Sequence, residues 1–226
     1  MDVVILAAGK GTRLNEITKK IPKPLVKIKE KPLLGHIIKG LANKDLKNFY
    51  FIVGYKKEKI IEYVESIKNK YQINPKYITQ KELNGPGHTL SLLPEEISSE
   101  FILTVGDSII PNLPYDKIIN SKYSIMLVKK TNEIYRKGII NVKEDYVTDC
   151  YYNSNEGKGE GLTDLTFLKL PREIIEYSKN YDFSKKEVYI PEIIDKMIKE
   201  NKIKMKFLIY EGETIHITNI NDLKGL

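Results

Sequence analysis

The sequence predicts an α/β protein with a mostly parallel central sheet. Apolar runs typical of buried strands recur at residues 3–6, 48–53 and 101–105. Stretches whose apolar residues repeat at helical spacing lie among them, at residues 34–42 and 57–71. Strands that alternate with helices are joined by right-handed crossovers, which produce a parallel sheet. At 226 residues the chain is long enough to bury a substantial core as one domain.

The remaining elements are predicted from their local patterns, in chain order. Residues 25–28 predict a short strand or an extended connector, residues 77–79 a short third strand, and residues 89–93 the start of a helix. Further strands are predicted at residues 124–128, 138–142, 147–152 and 205–210, and further helices at residues 174–177 and 189–201. The glycine-rich residues 156–161 are expected to form a mobile loop.

Composition and charge indicate an ordinary soluble globular protein. Hydrophobic residues make up 41% of the chain and charged residues 30%, and no apolar run approaches the ~20 residues of a membrane span. The net charge of +7 is spread over lysines on the polar faces of predicted helices, so we expect no nucleic-acid binding. The single cysteine, Cys150, excludes an intrachain disulfide and gives no zinc pattern. We expect a cytoplasmic protein without a membrane partner, and the sequence leaves homo-oligomer formation open.

Residues 1–25 combine the features that a bound polyphosphate needs. A buried strand ends in small residues, so that backbone amides can approach a ligand without intervening side chains. Positive charge follows within a few residues, and phosphate groups bind converging N–H donors together with mobile cations. The small residues are Ala7, Ala8, Gly9 and Gly11, and the cations are Arg13, Lys19, Lys20 and Lys23. The stretch therefore predicts a nucleotide site.

Two better-known nucleotide motifs do not fit this loop. A P-loop needs two glycines five residues apart before Lys and Ser or Thr, and Gly9 and Gly11 have the wrong spacing. The dinucleotide fingerprint needs a third glycine where this chain has Leu14. The pattern L-A-A-G-x-G-T-R-L at residues 6–14, followed by P-K-P-L at residues 22–25, instead resembles the nucleotidylyltransferase superfamily that makes NDP-sugars from sugar 1-phosphates.

The resemblance implies a Rossmann-like three-layer sandwich of the nucleotide-diphospho-sugar transferase type. It implies one domain over residues 1–226, with a nucleotide-binding half at residues 1–110 and an acceptor-binding half at residues 111–226. Arg13 and Lys23 would contact the triphosphate and the phosphate under attack, which makes both of them catalytic candidates. The loop residues implied to wrap the nucleotide are Leu6, Ala7, Ala8, Gly9, Lys10, Gly11, Thr12 and Arg13.

The same resemblance implies base-binding and metal-binding residues. Gln80 would hydrogen-bond the base, and Gly85 would let the base pack against backbone. Asp107 follows the strand at residues 101–105, at the sheet edge where α/β proteins bind ligands, and matches a catalytic carboxylate that holds Mg²⁺ in the family. An aspartate that only caps a turn is the alternative at this position. His216 stands where the family has a second metal-binding Asp, and a packed or hydrogen-bonding histidine is equally compatible, because Mg²⁺ prefers oxygen ligands.

The acceptor side departs from the family pattern. Gly138 lies in the element where the family's glycine faces the acceptor sugar. The family carries Glu-Lys-Pro with a phosphate-binding lysine where this chain has Tyr-Asn at residues 152–153. Lys158 could supply that charge, or it could be a solvated linker lysine. Thr163 and Asp164 stand where the family contacts the sugar ring and could bind hydroxyls, and Asp164 could equally pair with a cationic acceptor group.

These residues predict nucleotidyl transfer with Mg²⁺ as the cofactor. An oxygen of an acceptor phosphate would attack the α-phosphate of a nucleoside triphosphate in line, and pyrophosphate would leave. Since the attacking phosphate is already ionised, catalysis would rest on positioning and on charge neutralisation. The expected acceptor is a sugar 1-phosphate. Two alternatives stay open: a cytidylyltransferase acting on phosphocholine or inositol phosphate, and a catalytically inactive regulatory subunit that binds nucleotide-sugars.

Overall fold

The structure is a computed structural model, and it describes residues 1–11, 14, 16–82, 84–133, 137–153, 158–184 and 187–217, leaving aside the side chains of residues 16, 137 and 158. The strands are β1 (Asp2–Ala7), β2 (Lys27–Ile28), β3 (Lys31–Pro32), β4 (Asn48–Val53), β5 (Asn74–Thr79), β6 (Glu100–Val105), β7 (Ser108–Ile109), β8 (Ser124–Glu133), β9 (Lys137–Lys143), β10 (Tyr146–Asn153), β11 (Lys158–Pro171), β12 (Met205–Ile209) and β13 (Ile215–His216). The helices are α1 (Glu16–Lys20), α2 (Leu33–Ala42), α3 (Lys57–Tyr71), α4 (His88–Ser91), α5 (Tyr115–Ile119), α6 (Glu173–Lys179) and α7 (Ile190–Lys199). Within these residues, no helix is both long enough and apolar enough to cross a membrane.

Two units make up the chain, and each combines stretches that are distant in sequence. Unit 1 consists of Met1–Lys81, Thr104–Tyr115 and Gly212–Leu226, and unit 2 consists of Glu82–Leu103 and Asp116–Glu211. The functional halves expected at residues 1–110 and 111–226 stay a prediction.

Unit 1 is a parallel α/β unit with the strand order β5-β4-β1-β6. Strand β1 pairs in parallel with β4, and β4 pairs in parallel with β5. Only the last two residues of β6, Thr104 and Val105, belong to this unit. Val3, Val4 and Ile5 have no exposed surface, as expected for a continuous apolar strand in the interior of a parallel sheet.

The helices of unit 1 follow the apolar stripes in the sequence. Helix α2 fully buries Leu34, Ile38 and Leu41, which are spaced by three or four residues, and α3 buries Ile60 and Val64. The predicted bounds of β4 and α3 are confirmed at both ends, and β5 begins three residues before the strand expected at residues 77–79. Burial of one helix face therefore explains both helices.

Unit 2 has the strand order β6-β11-β8-β12-β10-β9, and its described pairings are mainly antiparallel. Strand β11 is antiparallel to β8 and β9, and strand β10 is antiparallel to β9 and β12, whereas β8 and β12 are parallel. The predicted α/β architecture is confirmed. The parallel pairing that was predicted for most of the sheet is found in unit 1, between β1 and β4 and between β4 and β5.

The glycine-rich segment belongs to a strand, so the loop predicted at residues 156–161 is wrong from Lys158 onward. Strand β11 places Lys158 opposite Glu133 of β8, and Thr163 opposite Ile139 of β9. Two neighbouring strands satisfy its backbone hydrogen-bonding groups, and both partners are distant in sequence. This tertiary pairing outweighs the low strand propensity of the glycines. Residues 154–157 lie outside the described part of the chain.

Candidate active site

In unit 1, β1 ends in the small-residue loop that was predicted to hold the nucleotide. Leu6 is half-buried, Ala7 and Ala8 are buried, and Gly9 and Lys10 are exposed. No neighbouring heavy atom lies within 4 Å of the place where a Cβ of Gly9 would stand. The backbone therefore leaves the core at Gly9 with open space beside it, as a loop that binds phosphate through its amides requires.

The next part of the loop is tied to helix α1. The Gly11 carbonyl oxygen accepts hydrogen bonds from the Leu14 backbone N–H at 3.0 Å and from the Thr18 hydroxyl at 3.1 Å. These bonds fix the direction in which the chain enters α1. Thr12 and the predicted catalytic residue Arg13 lie outside the described part of the chain, so their roles stay predictions.

Lys23 is a cation held by a short turn. A 3₁₀ turn covers Lys23–Leu25 after Pro22, and the Lys23 carbonyl oxygen accepts the Val26 N–H at 3.0 Å. The Lys23 ammonium nitrogen lies 2.8 Å from Oδ2 of Asp107, and the two side chains are 11% and 30% exposed. Because the pair is partly shielded from water, each charge stabilises the other more than it would at an open surface. The two predicted catalytic residues that the structure describes are therefore in direct contact.

Asp107 reaches this position because β6 ends beside β1. The Gly106 N–H donates to the Leu6 carbonyl oxygen at 2.8 Å, so the chain leaves the sheet next to the start of the small-residue loop. Asp107 and the loop therefore share the carboxyl edge of parallel strands, which is where open α/β sheets bind ligands.

His216 is brought to the same pair by the small strand β13. In the antiparallel pairing of β13 with β7, His216 lies opposite Ser108, and Ile215 lies opposite Ile109. Side chains alternate between the two faces of a strand. Ile217 is fully buried in a hydrophobic cluster of unit 1, and Ile215 packs against that cluster. The cluster also contains Leu14, Val26, Ile28 and Leu33.

The imidazole of His216 contacts polar groups instead of this cluster. Its Nε2 lies 3.5 Å from Nζ of Lys23, and its Nδ1 lies 3.2 Å from Oγ of Ser108. The structure thus brings together Lys23, Asp107 and His216, as the resemblance implied. It adds Ser108, which no sequence pattern singles out except its place directly after Asp107.

The donor atoms around Asp107 suit Mg²⁺ bound together with a nucleotide. In enzymes that act on phosphates, Mg²⁺ is held by one or two carboxylates, substrate phosphate oxygens and water. Asp107 offers a partly exposed carboxylate for this purpose. Within the described ranges, no three His, Cys, Asp or Glu side chains cluster as a complete metal site. A metal at Asp107 would therefore take most of its ligands from the nucleotide and from water.

Gln80, the candidate base contact, lies in unit 1 directly after β5. Its side chain is largely buried, with the residue 8% exposed. Its backbone N–H donates to the Val53 carbonyl oxygen at 2.8 Å, which continues the parallel pairing of β4 and β5 by one residue. Gln80 is therefore fixed at the carboxyl end of these strands, the same end from which Asp107 emerges.

In unit 2, Gly85 has a backbone conformation that favours glycine, and its role at the base stays a prediction. Its φ is +89°, which L side chains rarely adopt, and a Cβ there would collide with the backbone of Val188. The Val188 N–H donates to the Asn84 carbonyl oxygen at 3.1 Å, and the Gly87 N–H donates to the Val188 carbonyl oxygen at 2.8 Å. The turn around Gly85 is therefore held by backbone contacts that leave no room for a side chain.

Two of the predicted acceptor-binding residues are neighbours in unit 2. A Cβ at Gly138 would stand 3.3 Å from the Cβ of Asp164 and 3.0 Å from Cγ of Pro191. Thr163 is 7% exposed and precedes Asp164 on β11. The Lys158 backbone begins the same strand, but its side chain lies outside the described part of the chain, so its acceptor-binding role stays a prediction.

Asp164 is oriented by an irregularity in β11. The strand register shifts between Asp164 and Leu168, and Thr166 has a φ of +49°. Oδ1 of Asp164 accepts the Thr166 backbone N–H at 2.6 Å, and Oδ2 accepts the Thr166 hydroxyl at 3.0 Å. Burial raises the pKa of Asp164 to about 6, although both hydrogen bonds from Thr166 lower it. At neutral pH the group is therefore mainly a carboxylate, which can accept hydrogen bonds from ligand hydroxyls.

An aromatic pair lies beside Gly138. Tyr152 stands opposite Gly138 in the pairing of β10 with β9. Its ring stacks on that of Tyr189, with centroids 3.6 Å apart and planes within 2° of parallel. The sequence marks Tyr152 and Asn153 as departures from the family's Glu-Lys-Pro, but nothing in it indicates Tyr189, since the contact depends on where α7 begins. Unit 2 thus has a flat aromatic group at one of the positions where the chain departs from the family pattern.

Comparison with curated proteins finds relatives over most of the chain. The bifunctional protein GlmU of Methanocaldococcus jannaschii is 31% identical over 205 residues, which cover 90% of this chain and 48% of that protein. The chain thus spans about half the length of this relative. The D-glycero-alpha-D-manno-heptose 1-phosphate guanylyltransferase of Campylobacter jejuni is 31% identical over 221 residues, which cover 96% of this chain and 94% of that protein.

A solved structure shows the fold of the chain, and a family model shows its family. A UDP-glucose pyrophosphorylase solved with UDP-glucose superimposes with a TM-score of 0.82 at 19% identity, over 98% of this chain and 95% of that one. This similarity confirms the Rossmann-like fold of nucleotide-sugar transferases. The sequence model of the family described as "Nucleotidyl transferase" matches residues 2–143, which is more than half of the chain. The protein therefore belongs to the nucleotidyl transferase family.

Proposed function

We propose that the protein transfers a nucleoside monophosphate from a nucleoside triphosphate to a sugar 1-phosphate and releases pyrophosphate. The observation that carries the proposal is the contact between Lys23 and Asp107, 2.8 Å apart at the carboxyl edge of the parallel strands. Phosphoryl chemistry at this edge needs a cation for the phosphate under attack and a carboxylate for a metal. Both are in place beside the small-residue loop.

The candidate residues of unit 1 would each bind a different part of the nucleotide. The backbone amides of the loop from Gly9 to Gly11, together with Arg13, would hold the β- and γ-phosphates. Mg²⁺ bound at Asp107 would neutralise negative charge on the phosphate oxygens. Lys23 would leave its pairing with Asp107 and contact the α-phosphate, where charge develops during the attack. Gln80 would hydrogen-bond the base.

The residues of unit 2 would bind the acceptor. Asp164 has its carboxylate oriented by Thr166, and Thr163 precedes it, so both can bind hydroxyl groups of a sugar. The backbone of Gly138 lies close to Asp164, where an added Cβ would stand 3.3 Å from the Cβ of Asp164. The relative from Campylobacter jejuni, which matches this chain over nearly its full length, is named for transfer to a sugar 1-phosphate. That name supports a sugar 1-phosphate as the acceptor class.

The two alternative functions predict different activities from those of a sugar-1-phosphate nucleotidyltransferase. A cytidylyltransferase for phosphocholine would use Asp164 to pair with the quaternary ammonium of choline. A purely regulatory subunit would bind nucleotide-sugars without turnover. The close pairing of Lys23 with Asp107 favours catalysis, since a module that only binds need not keep both charges at the phosphate edge.

A pyrophosphate-release assay tests the proposal directly. The protein is incubated with Mg²⁺, each of ATP, CTP, GTP, UTP and dTTP, and a panel of hexose and heptose 1-phosphates, phosphocholine and inositol phosphate. We expect release that requires one sugar 1-phosphate and stops on addition of EDTA. If pyrophosphate is released only with CTP and either phosphocholine or inositol phosphate, the acceptor is that phosphomonoester and not a sugar 1-phosphate. Binding of NDP-sugars without any pyrophosphate release would establish the regulatory alternative.

A further inference from the structure

The imidazole of His216 is held in place on both of its ring nitrogens. Nε2 lies 3.5 Å from Nζ of Lys23, and Nδ1 lies 3.2 Å from Oγ of Ser108. The backbone of His216 is paired with β7, and the next residue, Ile217, is fully buried. Strand pairing and an apolar anchor therefore fix the backbone that carries the ring, and Ser108 contacts the ring independently of Lys23.

A hydrogen bond between Lys23 and His216 requires one tautomer of the imidazole. A lysine ammonium only donates hydrogen bonds, so Nε2 of His216 must direct its lone pair at Lys23. In a neutral imidazole the proton is then on Nδ1, from which it can be donated to the Ser108 hydroxyl oxygen. Because Nε2 has one lone pair, it cannot accept from Lys23 and bind a metal ion at the same time.

We propose that His216 is a positioning residue for Lys23 and not a ligand of the metal at Asp107. The proposal rests on the nucleotidyl-transfer function, which gives Lys23 its role at the α-phosphate. Among the described residues, Lys23 pairs with the charged Asp107 at 2.8 Å and contacts Nε2 of His216, which accepts from it when the imidazole is neutral. When Asp107 turns to a metal, His216 still accepts a hydrogen bond from Lys23.

The neutral character of this second partner has a catalytic consequence. A neutral acceptor keeps the ammonium in place without cancelling its positive charge, which stays available to the phosphate. A carboxylate at the same position would pair with Lys23 and compete with the phosphate for it. The change from the family's Asp to His216 thus leaves Asp107 as the metal-binding side chain and gives Lys23 a dedicated support.

The tautomer of His216 can be measured without nucleotide or metal. The chain has three histidines, so the variants H36Q, H88Q and H216Q assign each ring in long-range ¹H–¹⁵N spectra. At a pH about 1.5 units above the ordinary histidine pKa of ~6.5, we expect the His216 proton on Nδ1. S108A should weaken that preference. A His216 ring protonated on Nε2 in the unsubstituted protein would overturn the proposal.

Metal binding is tested with Mn²⁺ and a non-hydrolysable triphosphate. Electron spin echo envelope modulation detects an imidazole nitrogen bound directly to Mn²⁺. We expect no such nitrogen in the unsubstituted protein, and we expect D107N to weaken Mn²⁺ binding. A metal-bound nitrogen signal that disappears in H216Q would contradict the positioning role.

Kinetics separate this inference from the proposed function. H216A should lower kcat by about 10- to 100-fold, because Lys23 is misplaced at the reacting phosphate, while the Mg²⁺ concentration for half-maximal activity stays unchanged. H216Q should recover part of the loss, since its Oε1 can accept from Lys23. An unchanged kcat in H216A, or a large shift in Mg²⁺ dependence, would refute the inference. Absence of turnover in the unsubstituted protein would refute the proposed function instead, and the tautomer result would still stand.

Discussion

Unit 1 gathers its candidate residues around the carboxyl ends of parallel strands, whereas in unit 2 the candidate Asp164 lies within an irregular antiparallel ladder. In unit 1, Lys23 and Asp107 meet at the carboxyl edge next to Leu6. In unit 2, Asp164 is oriented by a register shift and by hydrogen bonds from Thr166. Residues that follow strand ends sit at characteristic sequence positions, while residues inside a bulged ladder depend on strand register. The first kind of site can be predicted from spacing, and the second kind mostly cannot.

The largest effects are expected from the charged pair of unit 1. Lys23→Ala removes the cation at the reacting phosphate, and Asp107→Asn removes the metal-binding carboxylate. Each should lower kcat in the pyrophosphate-release assay by about 10²- to 10³-fold, because both act on charge in the transition state. The fold should persist, since neither side chain is part of the apolar core.

Matched controls make this result specific to the pair. Asp45→Asn changes a carboxylate whose side chain is 97% exposed in the same unit, and Lys70→Ala removes an exposed lysine at the end of α3. Both should retain near-normal turnover. Near-normal turnover in Lys23→Ala or Asp107→Asn would show that this pair does not act in the reaction. The contrast drawn between the two units would then be wrong.

The contrast between the two units also explains how much of the fold and of the candidate site could be predicted from the sequence. The bounds of β4 and α3 are predicted correctly, because a continuous apolar run and a helical apolar stripe are local signals. Asp107 is found because Gly-Asp follows a buried strand. The contact of Lys23 with His216 joins residues 193 positions apart, and only the pairing of β13 with β7 creates it. Strand β11 is missed for a related reason, since its glycine-rich start pairs with β8 and the residues that follow also pair with β9.

A reciprocal pair of glycine substitutions should separate the two binding functions. Gly138→Ala would place a Cβ 3.3 Å from Asp164 and 3.0 Å from Pro191, so the KM for the acceptor should rise about 10-fold. Gly9→Ala has open space around the new methyl group but adds a side chain where the nucleotide would approach, so it should raise the KM for the triphosphate. Initial rates with each substrate varied in turn measure both values. If both variants raise the same KM, the division of roles between the units is wrong.

The partly buried carboxylate of Asp164 in unit 2 should make stability depend on pH. Burial raises the pKa of Asp164 to about 6 in the folded protein, from an ordinary value of 3.8. Between about pH 4 and pH 6 the unfolded chain therefore releases this proton more readily, so the free energy of unfolding falls as pH rises. Asp164→Asn has no such titrating group and does not lose this stability. As pH rises from about 4 to about 6, the free energy of unfolding of the variant minus that of the unsubstituted protein should therefore increase by about 1–2 kcal/mol.

Urea unfolding at several pH values between 4 and 7 measures the effect. The informative quantity is how the difference between Asp164→Asn and the unsubstituted protein changes with pH, because an amide also loses one hydrogen bond from Thr166 at every pH. Asp145→Asn is the control, since this carboxylate is 76% exposed in the same unit. A difference that stays constant with pH would show that Asp164 is not desolvated.

The smallest effects are expected at two helix ends that share one geometry. After α3, Gln72 has a φ of +52°, and its N–H and that of Ile73 donate to the carbonyls of Asn69 and Lys68. After α7 in unit 2, Asn201 has a φ of +56°, and its N–H and that of Lys202 donate to the carbonyls of Ile198 and Met197. Both are Schellman ends, at which a residue in the left-handed conformation closes the helix.

The two residues differ in how well they tolerate that conformation. Glutamine is strained there, whereas asparagine adopts it more readily. Gln72→Gly should therefore raise the free energy of unfolding by about 0.5 kcal/mol, and Asn201→Gly should change it by about zero, because glycine also adds entropy to the unfolded chain. Urea midpoints at a constant m-value measure both changes. An equal gain in stability at Gln72 and Asn201 would mean that the two helix ends are equally strained. The differences between unit 1 and unit 2 would then lie in their sheets and not in these helix ends.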